Sequence, residues 1–479
     1  MFKDVKHPTL FGFFERISEI PRGSGNESGI ADYLESFAAE RGLYCYRDEV
    51  NNIFIKKNAV GEDYASHAPV LLQGHTDMVC ESAEGVLHDF LNDGIRLVRE
   101  SDILRADGTT LGADDGCAVA AMLALLDSDT IEHPPLECLF TVGEEVGMDG
   151  MNAFDTSLLG ARRMINLDSA GEGIATVACA GGVRCDFSGE MAHDALSDKN
   201  KCYTLKLSGL CGGHSGEDIA LGRANAIELC ASVLRAIHAV APVRIIDICG
   251  GSKDNAIPRE CTVSFAVFGD ADISSVVESS LYFISHRLVR DDADFTYSLT
   301  QTKTPNEALN EDNSERIIDF LSVFRSGPTA MSRTVSDMVE SSYNLASVRI
   351  SDGTFRAVVS FRSSEEASLD DMTETMHSIG RLANLDAHCH SRYPGWSFAE
   401  KSPLRDLYLK VWREISGTDG TALGIHAGLE CGLLISRVPD MDIISIGPDI
   451  KDLHSPSETL GIASFDRLYD TVIAMLKYC

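Results

Sequence analysis

APVLLQGHTDM at residues 68–78, AVAAMLALL at 118–126 and LECLFTVGEEVG at 136–147 decide the reading of the fold. The first and third hold short apolar runs, as a buried strand requires, and each run ends in acids or histidine. The middle stretch is apolar all round and reads as a buried helix, opened by LGADDG at 111–116. A strand, a helix and a second strand in that order belong to an α/β sheet with helices on both faces. Ligands of such sheets bind beyond the carboxyl ends of the strands, where these polar residues fall.

Working outward, residues 9–20 and 28–42 carry helical patterns around the loop PRGSGN, and NIFIKK at 52–57 and RMINLD at 163–168 read as further strands. From about 186 the pattern changes to alternating strands. CYTLKLSG, VRIIDICGG, TVSFAVFG and FTYSLTQ, with helices near 223–240 and 272–289, give the split-βαβ order. A less complete series follows, with helices near 313–325 and 366–384, strands near 343–350 and 354–362, then DAHCH. Two tandem units of this kind make one inserted α+β domain over 186–389. It divides the α/β domain into 1–185 and 390–479. The last part supplies the strand MDIISIG and a closing helix from Pro456 to Lys477.

The 479 residues, 44% hydrophobic and 24% charged, suit a soluble protein of at least two domains. No apolar run approaches the roughly 20 residues of a membrane span, and the N-terminus lacks the pattern of a signal peptide. The expected location is the cytoplasm. The net charge of -32, from 73 acids and 41 bases, opposes binding to nucleic acid or anionic membranes. Fourteen cysteines stand singly with no CxxC pair, as reduced thiols do, so a cysteine zinc site is not expected.

Five motifs carry candidate chemistry. In GHTDM, His75 and Asp77 lie two apart and share a face of an extended chain, so the carboxylate can orient the imidazole. In LGADDG, Asp114 and Asp115 are either caps of the following helix or, for Asp114, a carboxylate shared between two metal ions. In TVGEEVG, the side chains of Glu144 and Glu145 diverge, so one can bind metal while the other holds a water. Asp168 ends the strand of RMINLD. In KDLHSPSE, Ser455, Pro456 and Glu458 match a capping box, which leaves His454 over. Singly, each motif has a bland structural reading. Together, two histidines and three carboxylates at strand ends suit two zinc ions, with cobalt or manganese able to take the same ligands.

GHTDMV, TTLGADDG, GEEVGMDG, INLDS and HSPSE, in that order, resemble the co-catalytic zinc peptidases that include glutamate carboxypeptidases, tripeptidases and carnosinases. CAGG at 179–182, GGHSGEDI at 212–219, NAIPRE at 255–260, YPGW at 393–396 and IHAGLECG at 425–432 narrow the likeness to the aminoacyl-histidine dipeptidase branch. The resemblance implies that His75, Asp114 and Asp168 hold one zinc, and that Asp114, Glu145 and His454 hold the other. It implies Asp77 as the orienting carboxylate and Glu144 as general base. It also implies an inserted lid in which His214 stabilises the oxyanion, Asn255 binds the peptide and Arg362 grips its carboxylate. Many members of the branch have asparagine where this chain has Asp115; either residue would cap the helix. The implied activity is hydrolysis of small peptides, Xaa-His dipeptides such as carnosine included, by a homodimer. His214 would serve its own site or a partner's. The alternatives are an amidohydrolase acting on N-acyl-amino acids with the same site, and a metal- or peptide-binding module without catalysis.

Overall fold

The computed structural model describes residues 2–197, 199–269 and 271–479. It divides into two compact units. Unit 1 comprises Met1–Ala178, Phe398–Gly424 and Leu429–Cys479; unit 2 comprises Cys179–Ser397 and Ile425–Gly428. The boundaries expected at 185/186 and 389/390 fall inside the strands Gly181–Glu190 and Asp386–Tyr393, so both move outward to the ends of those strands.

Unit 1 is built on an eight-stranded mixed sheet. Its order is Tyr44–Arg47, Ile53–Lys57, Leu136–Thr141, Val70–His75, Arg163–Asn166, Asp442–Ser445, Ile174–Cys179, Thr421–Ile425. Val70–His75 lies at the middle, parallel to Leu136–Thr141 on one side and Arg163–Asn166 on the other. Every residue of Val70–His75 and Leu136–Thr141 is buried, as the two apolar runs require. The helix Ala113–Asp127 is buried along nearly its whole length and packs on Val70–His75, where a Cβ at Gly74 would collide with Ala118 and Asp115. Leu10, Phe11, Phe14 and Ile17 of the helix Pro8–Ser18 fill the same core, with Phe465, Leu468 and Val472 of the last helix.

That last helix corrects the sequence reading: it runs Ile462–Leu476 and does not begin at Pro456. Residues 459–461 instead form a strand paired with Ile103–Ala106. Ser455 does not cap a helix; its hydroxyl donates to the Asp452 carbonyl (2.7 Å) in a turn.

Unit 2 holds a nine-stranded sheet in which each strand of the main path pairs antiparallel with its neighbours. The path is Thr296–Thr302, Lys201–Ser208, Cys261–Val267, Val243–Gly250, Val339–Ser351, Thr354–Ser363, Gly181–Glu190, Asp386–Tyr393, with Gly327–Met331 added beside Val339–Ser351. The first four strands, with the helices Ala226–His238 and Ser274–Ser285, are one split-βαβ unit. The other four, with the helices Glu311–Val323 and Glu366–Ala383, are a second. They are nested, not tandem. The opening strand of the second unit is Gly181–Glu190, which precedes the whole of the first and pairs with Thr354–Ser363 and Asp386–Tyr393. Among the described residues, the strands Val243–Gly250 and Val339–Ser351 join the two halves through Cys249↔Arg349 and Gly250↔Val348. Beneath, Phe187, Phe265, Phe355 and Phe361 pack with Ile227, Leu234, Ile317 and Leu321 in a single core. Among the described residues no disulfide joins any of the fourteen cysteines. No helix among the described residues is long and apolar enough to cross a membrane.

Candidate active site

The carboxyl ends of the three central strands of unit 1 bring His75, Glu144, Glu145 and Asp168 to one place. His75 ends its strand with its Nδ1 3.1 Å from the Asp77 carbonyl and 3.3 Å from Asp77 Oδ1. A proton on Nδ1 donated there leaves the Nε2 lone pair facing inward. Asp77 is itself held on several sides, accepting from the Ser24 hydroxyl (2.8 Å) and the amides of Glu144 (3.1 Å) and Glu145 (3.3 Å). Burial alone would raise its carboxyl, but the His75, Ser24 and Glu144 hydrogen bonds bring it down to about 2. Asp77 is therefore an ionised, fixed acceptor.

The turn that delivers Asp114 is held from two sides. Gly112 is left-handed (φ 67°), and Asp114 and Asp115, joined by a cis peptide bond, depart from helical geometry. A Cβ at Gly112 would stand 2.7 Å from the Arg22 guanidinium. Arg22 is buried and donates to the carbonyls of Thr76 (3.0 Å), Asp77 (3.3 Å) and Gly112 (2.5 Å), tying the His75 turn to the Asp114 turn. From the other side the buried Glu458 carboxylate accepts the amides of Leu111 (2.7 Å), Gly112 (3.0 Å), Ala113 (2.8 Å) and Asp114 (3.4 Å). Glu458 is thus a cradle for this turn and not part of a capping box. Asp115 does cap: its Oδ1 accepts the Ala118 amide (3.3 Å) while its Oδ2 accepts the His75 amide (3.2 Å).

Held so, Asp114 points one oxygen each way. Its Oδ1 is 3.0 Å from His75 Nε2, and its Oδ2 is 3.2 Å from His454 Nε2. Asp168 Oδ1 lies 3.6 Å from His75 Nε2, and Glu145 Oε1 lies 3.1 Å from His454 Nε2. Two groups of potential ligands result, His75–Asp114–Asp168 and Asp114–Glu145–His454, with the ligand atoms of each group within 4.8 Å of one another. Glu144 opens the short helix Glu144–Gly147 beside them.

Burial and like charge shift the protonation of these groups. Burial, with Asp114 and Glu145 adding repulsion, pushes the Asp168 carboxyl up to about 7 against the pull of His75. Glu144 is likewise raised, by burial first and then by Asp168. Hydrogen bonds that the His454 imidazole donates to Asp114 and Glu145 hold it up at about 11. Neutral imidazoles with the carboxylates of Asp114, Glu145 and Asp168 form a set whose negative charge bound divalent ions could balance. Imidazole nitrogen and carboxylate oxygen, one carboxylate shared, is a donor set that fits a pair of such ions.

The three residues expected in the inserted domain lie in unit 2. His214 is paired backbone to backbone with Ala256, next to Asn255, whose carbonyl accepts the Ser215 amide (2.8 Å). His214 Nδ1 accepts the Glu217 amide (3.2 Å), which puts the imidazole proton on Nε2. Arg362 donates to the Tyr393 hydroxyl, and its buried Nε has no hydrogen-bond acceptor among the described residues. A Cβ on Gly216 would touch His214 Cε1 (3.1 Å) and Arg362 Nε (3.3 Å), so those two side chains flank the same glycine.

Sequence reasoning missed His426. Its Nδ1 donates to the Val339 carbonyl (3.0 Å) and its Nε2 accepts from the Ser342 hydroxyl (2.7 Å). Burial, with Arg362 nearby, pushes it down to about 3, so it stays neutral. Tyr393, Arg22 and the buried Glu430 were missed as well. YPGW and IHAGLECG, which contain Tyr393, His426 and Glu430, carried the signal without assigning a role.

The sequence model of peptidase family M20/M25/M40 matches residues 71–478. The chain belongs to that family. Among M20 relatives, the cytosol non-specific dipeptidase of Escherichia coli K12 is 33% identical over 470 residues, covering 98% of this chain and 97% of that protein. The crystal structure of aminoacylhistidine dipeptidase from Vibrio alginolyticus superposes with a TM-score of 0.90 at 32% identity, covering 100% of this chain and 98% of that one. A tripeptidase from Staphylococcus aureus shares the M20 fold at 15% identity, with a TM-score of 0.55 over 99% of this chain and 98% of that one.

Proposed function

We propose that this chain is a metallodipeptidase that hydrolyses dipeptides, Xaa-His dipeptides such as carnosine included, with two zinc ions held by His75, Asp114, Asp168, Glu145 and His454. The observation that carries this is Asp114, whose two oxygens face two separate histidine–carboxylate groups. The names of the Escherichia coli and Vibrio relatives support the substrate class. Two divalent ions bound there would bring a shared water towards neutral pKa and polarise the scissile carbonyl.

The chain's own residues do the rest. Glu144, beside the ligands but not one of them, takes a proton from the attacking water and gives it to the leaving amine as the amide C–N bond breaks. Asp77 keeps the proton of His75 on Nδ1 and so keeps Nε2 available. His214, with its proton on Nε2, offers a donor to the tetrahedral oxyanion. Arg362, with Nε unsatisfied, pairs with the substrate's terminal carboxylate, and Asn255 holds the peptide. That demand for a free carboxylate close to the scissile bond limits the enzyme to short peptides. We place it in the cytoplasm as a homodimer with unit 2 as the lid; the cytosolic relative and the family likeness support this.

The test is a panel of dipeptides, carnosine among them, with tripeptides and N-acetyl-amino acids as comparison, assayed with zinc and after chelation. Dipeptide cleavage that chelator abolishes and zinc restores is the expected result. Zinc-loaded protein that cleaves no dipeptide overturns the proposal, and cleavage of acyl-amino acids alone reassigns the chain to amidohydrolysis.

A further inference from the structure

Three polar side chains of the central strands of unit 1 are linked to one another in the interior. Gln73, Thr141 and Asn166 are each fully buried, one on each of the strands that carry His75, Glu144 and Asp168. A fourth buried polar side chain meets them: Glu430, the first residue of the helix Glu430–Arg437. Its Oε2 accepts from Gln73 Nε2 and from the Thr141 hydroxyl (2.7 Å). Gln73 Oε1 in turn accepts from Asn166 Nδ2 (2.6 Å), and Asn166 Oδ1 accepts the Asp168 amide (3.3 Å). The Thr141 carbonyl receives both the amide and the hydroxyl of Thr76 (2.8 Å each), in the turn between His75 and Asp77.

This arrangement is poorly suited to stability for its own sake. A buried carboxylate is costly even when hydrogen-bonded, and apolar side chains of similar volume would pack there at no such cost. One Glu430 oxygen, Oε1, has no hydrogen-bond partner among the described residues. What the network does supply is alignment. Gln73 and His75 are two apart on one strand and share a face, so fixing the amide of Gln73 fixes the face on which His75 emerges. Asn166 does the same for Asp168, and Thr141 anchors the end of the strand that leads into Glu144 and Glu145.

We propose that Glu430 is a positioning residue for the hydrolytic reaction: through Gln73, Thr141 and Asn166 it locks the three strand ends so that His75, Asp168 and the Glu144–Glu145 turn converge. This rests on the metal-centre reading above. Ligand sets tolerate only about 0.5 Å of drift, so one carboxylate tying three strands has leverage over all of them.

The test is Glu430→Leu, which removes both oxygens and leaves Gln73 Nε2 and the Thr141 hydroxyl without their acceptor. Kinetics are measured with the metal-loaded enzyme, and metal affinity and the visible absorption of the cobalt-substituted protein are measured separately. The expected result is kcat lower by ~10–100-fold, the cost typical of losing an outer partner of a ligand, and metal binding weakened in parallel. KM should stay within about threefold, because no substrate contact is removed. The cobalt bands should shift, while Glu430→Gln, whose amide oxygen can stand where Oε2 stands and accept from both donors, should keep most of the kcat. Parent-like kinetics, affinity and cobalt spectrum in Glu430→Leu overturn the proposal, as does a loss of kcat that merely follows the unfolded fraction seen by circular dichroism. If Glu430→Leu does not fold, Thr141→Val deletes one donor to the same oxygen. Its kcat should then fall by about 3–10-fold with the same cobalt shift, and parent-like values overturn the proposal. Failure of the underlying metal-centre reading looks different: the parent protein itself would then not bind two equivalents of metal.

Discussion

The two polar clusters of this molecule solve opposite problems. At the strand ends of unit 1, Asp114, Glu144, Glu145 and Asp168 gather around only two imidazoles, and burial with mutual repulsion drives Asp168 up to about 7. In unit 2, Arg362, His214 and His426 gather with hydroxyls and carbonyls, and His426 is driven down to about 3. The first cluster holds more acids than bases. The second is nearly satisfied within its own chain and leaves open chiefly the Nε of Arg362. The difference is one of donor set: carboxylates crowd the first cluster, while a guanidinium and imidazoles among hydroxyls and carbonyls make the second.

The sharpest test of the first cluster is Glu144→Gln. It should lower kcat by ~10²–10⁴-fold, the usual contribution of a general base, while metal content by elemental analysis stays at the parent level. Full turnover would remove Glu144 from the role. Next, Asp114→Asn should weaken both metal equivalents together, whereas His454→Ala should weaken only one, since only Asp114 belongs to both groups. Equal losses in the two variants would break the shared-carboxylate reading. For the second cluster, Arg362→Met should lower kcat/KM by about 10–100-fold, chiefly through KM, for the loss of one charged hydrogen bond to substrate. An unchanged KM would show that the carboxylate is held elsewhere.

The smallest effect concerns His426. Its folded value of about 3 lies below the ordinary 6.5, so between those values the unfolded chain takes up a proton that the folded chain refuses. Its contribution to stability is complete above pH 6.5 and falls as pH drops, by about 1.4 kcal/mol per pH unit for one such group. Denaturant unfolding between pH 6 and pH 4 should therefore decline less steeply for His426→Gln than for the parent. Parallel slopes would show that His426 is protonated in the folded chain.

The proposed ligands His75, Glu145 and Asp168 stood out in the sequence because each follows closely on an apolar run, where local pattern and chemistry coincide. Local pattern failed where the partner was remote. Glu458 satisfies the local spacing of a capping box, yet its carboxylate serves amides at 111–114, more than 340 residues away. The strand Gly181–Glu190 escaped because its glycines, Arg184 and Asp186 look like loop chemistry; its pairing with Thr354–Ser363 makes it a strand. Arg22 passed as part of a glycine-rich loop, since nothing near it in sequence shows the three carbonyls it holds.

The nesting in unit 2 also dictates an order of assembly. As the polypeptide leaves the ribosome, the inner split unit, complete by Thr302, has every strand it needs. Gly181–Glu190 has emerged earlier but waits for Thr354–Ser363 and Asp386–Tyr393, with the inner unit intervening. Local pairings form first and distant ones late, so the outer half should close last. During that interval an orphan edge is open to the wrong neighbour, and chaperone dependence should concentrate there.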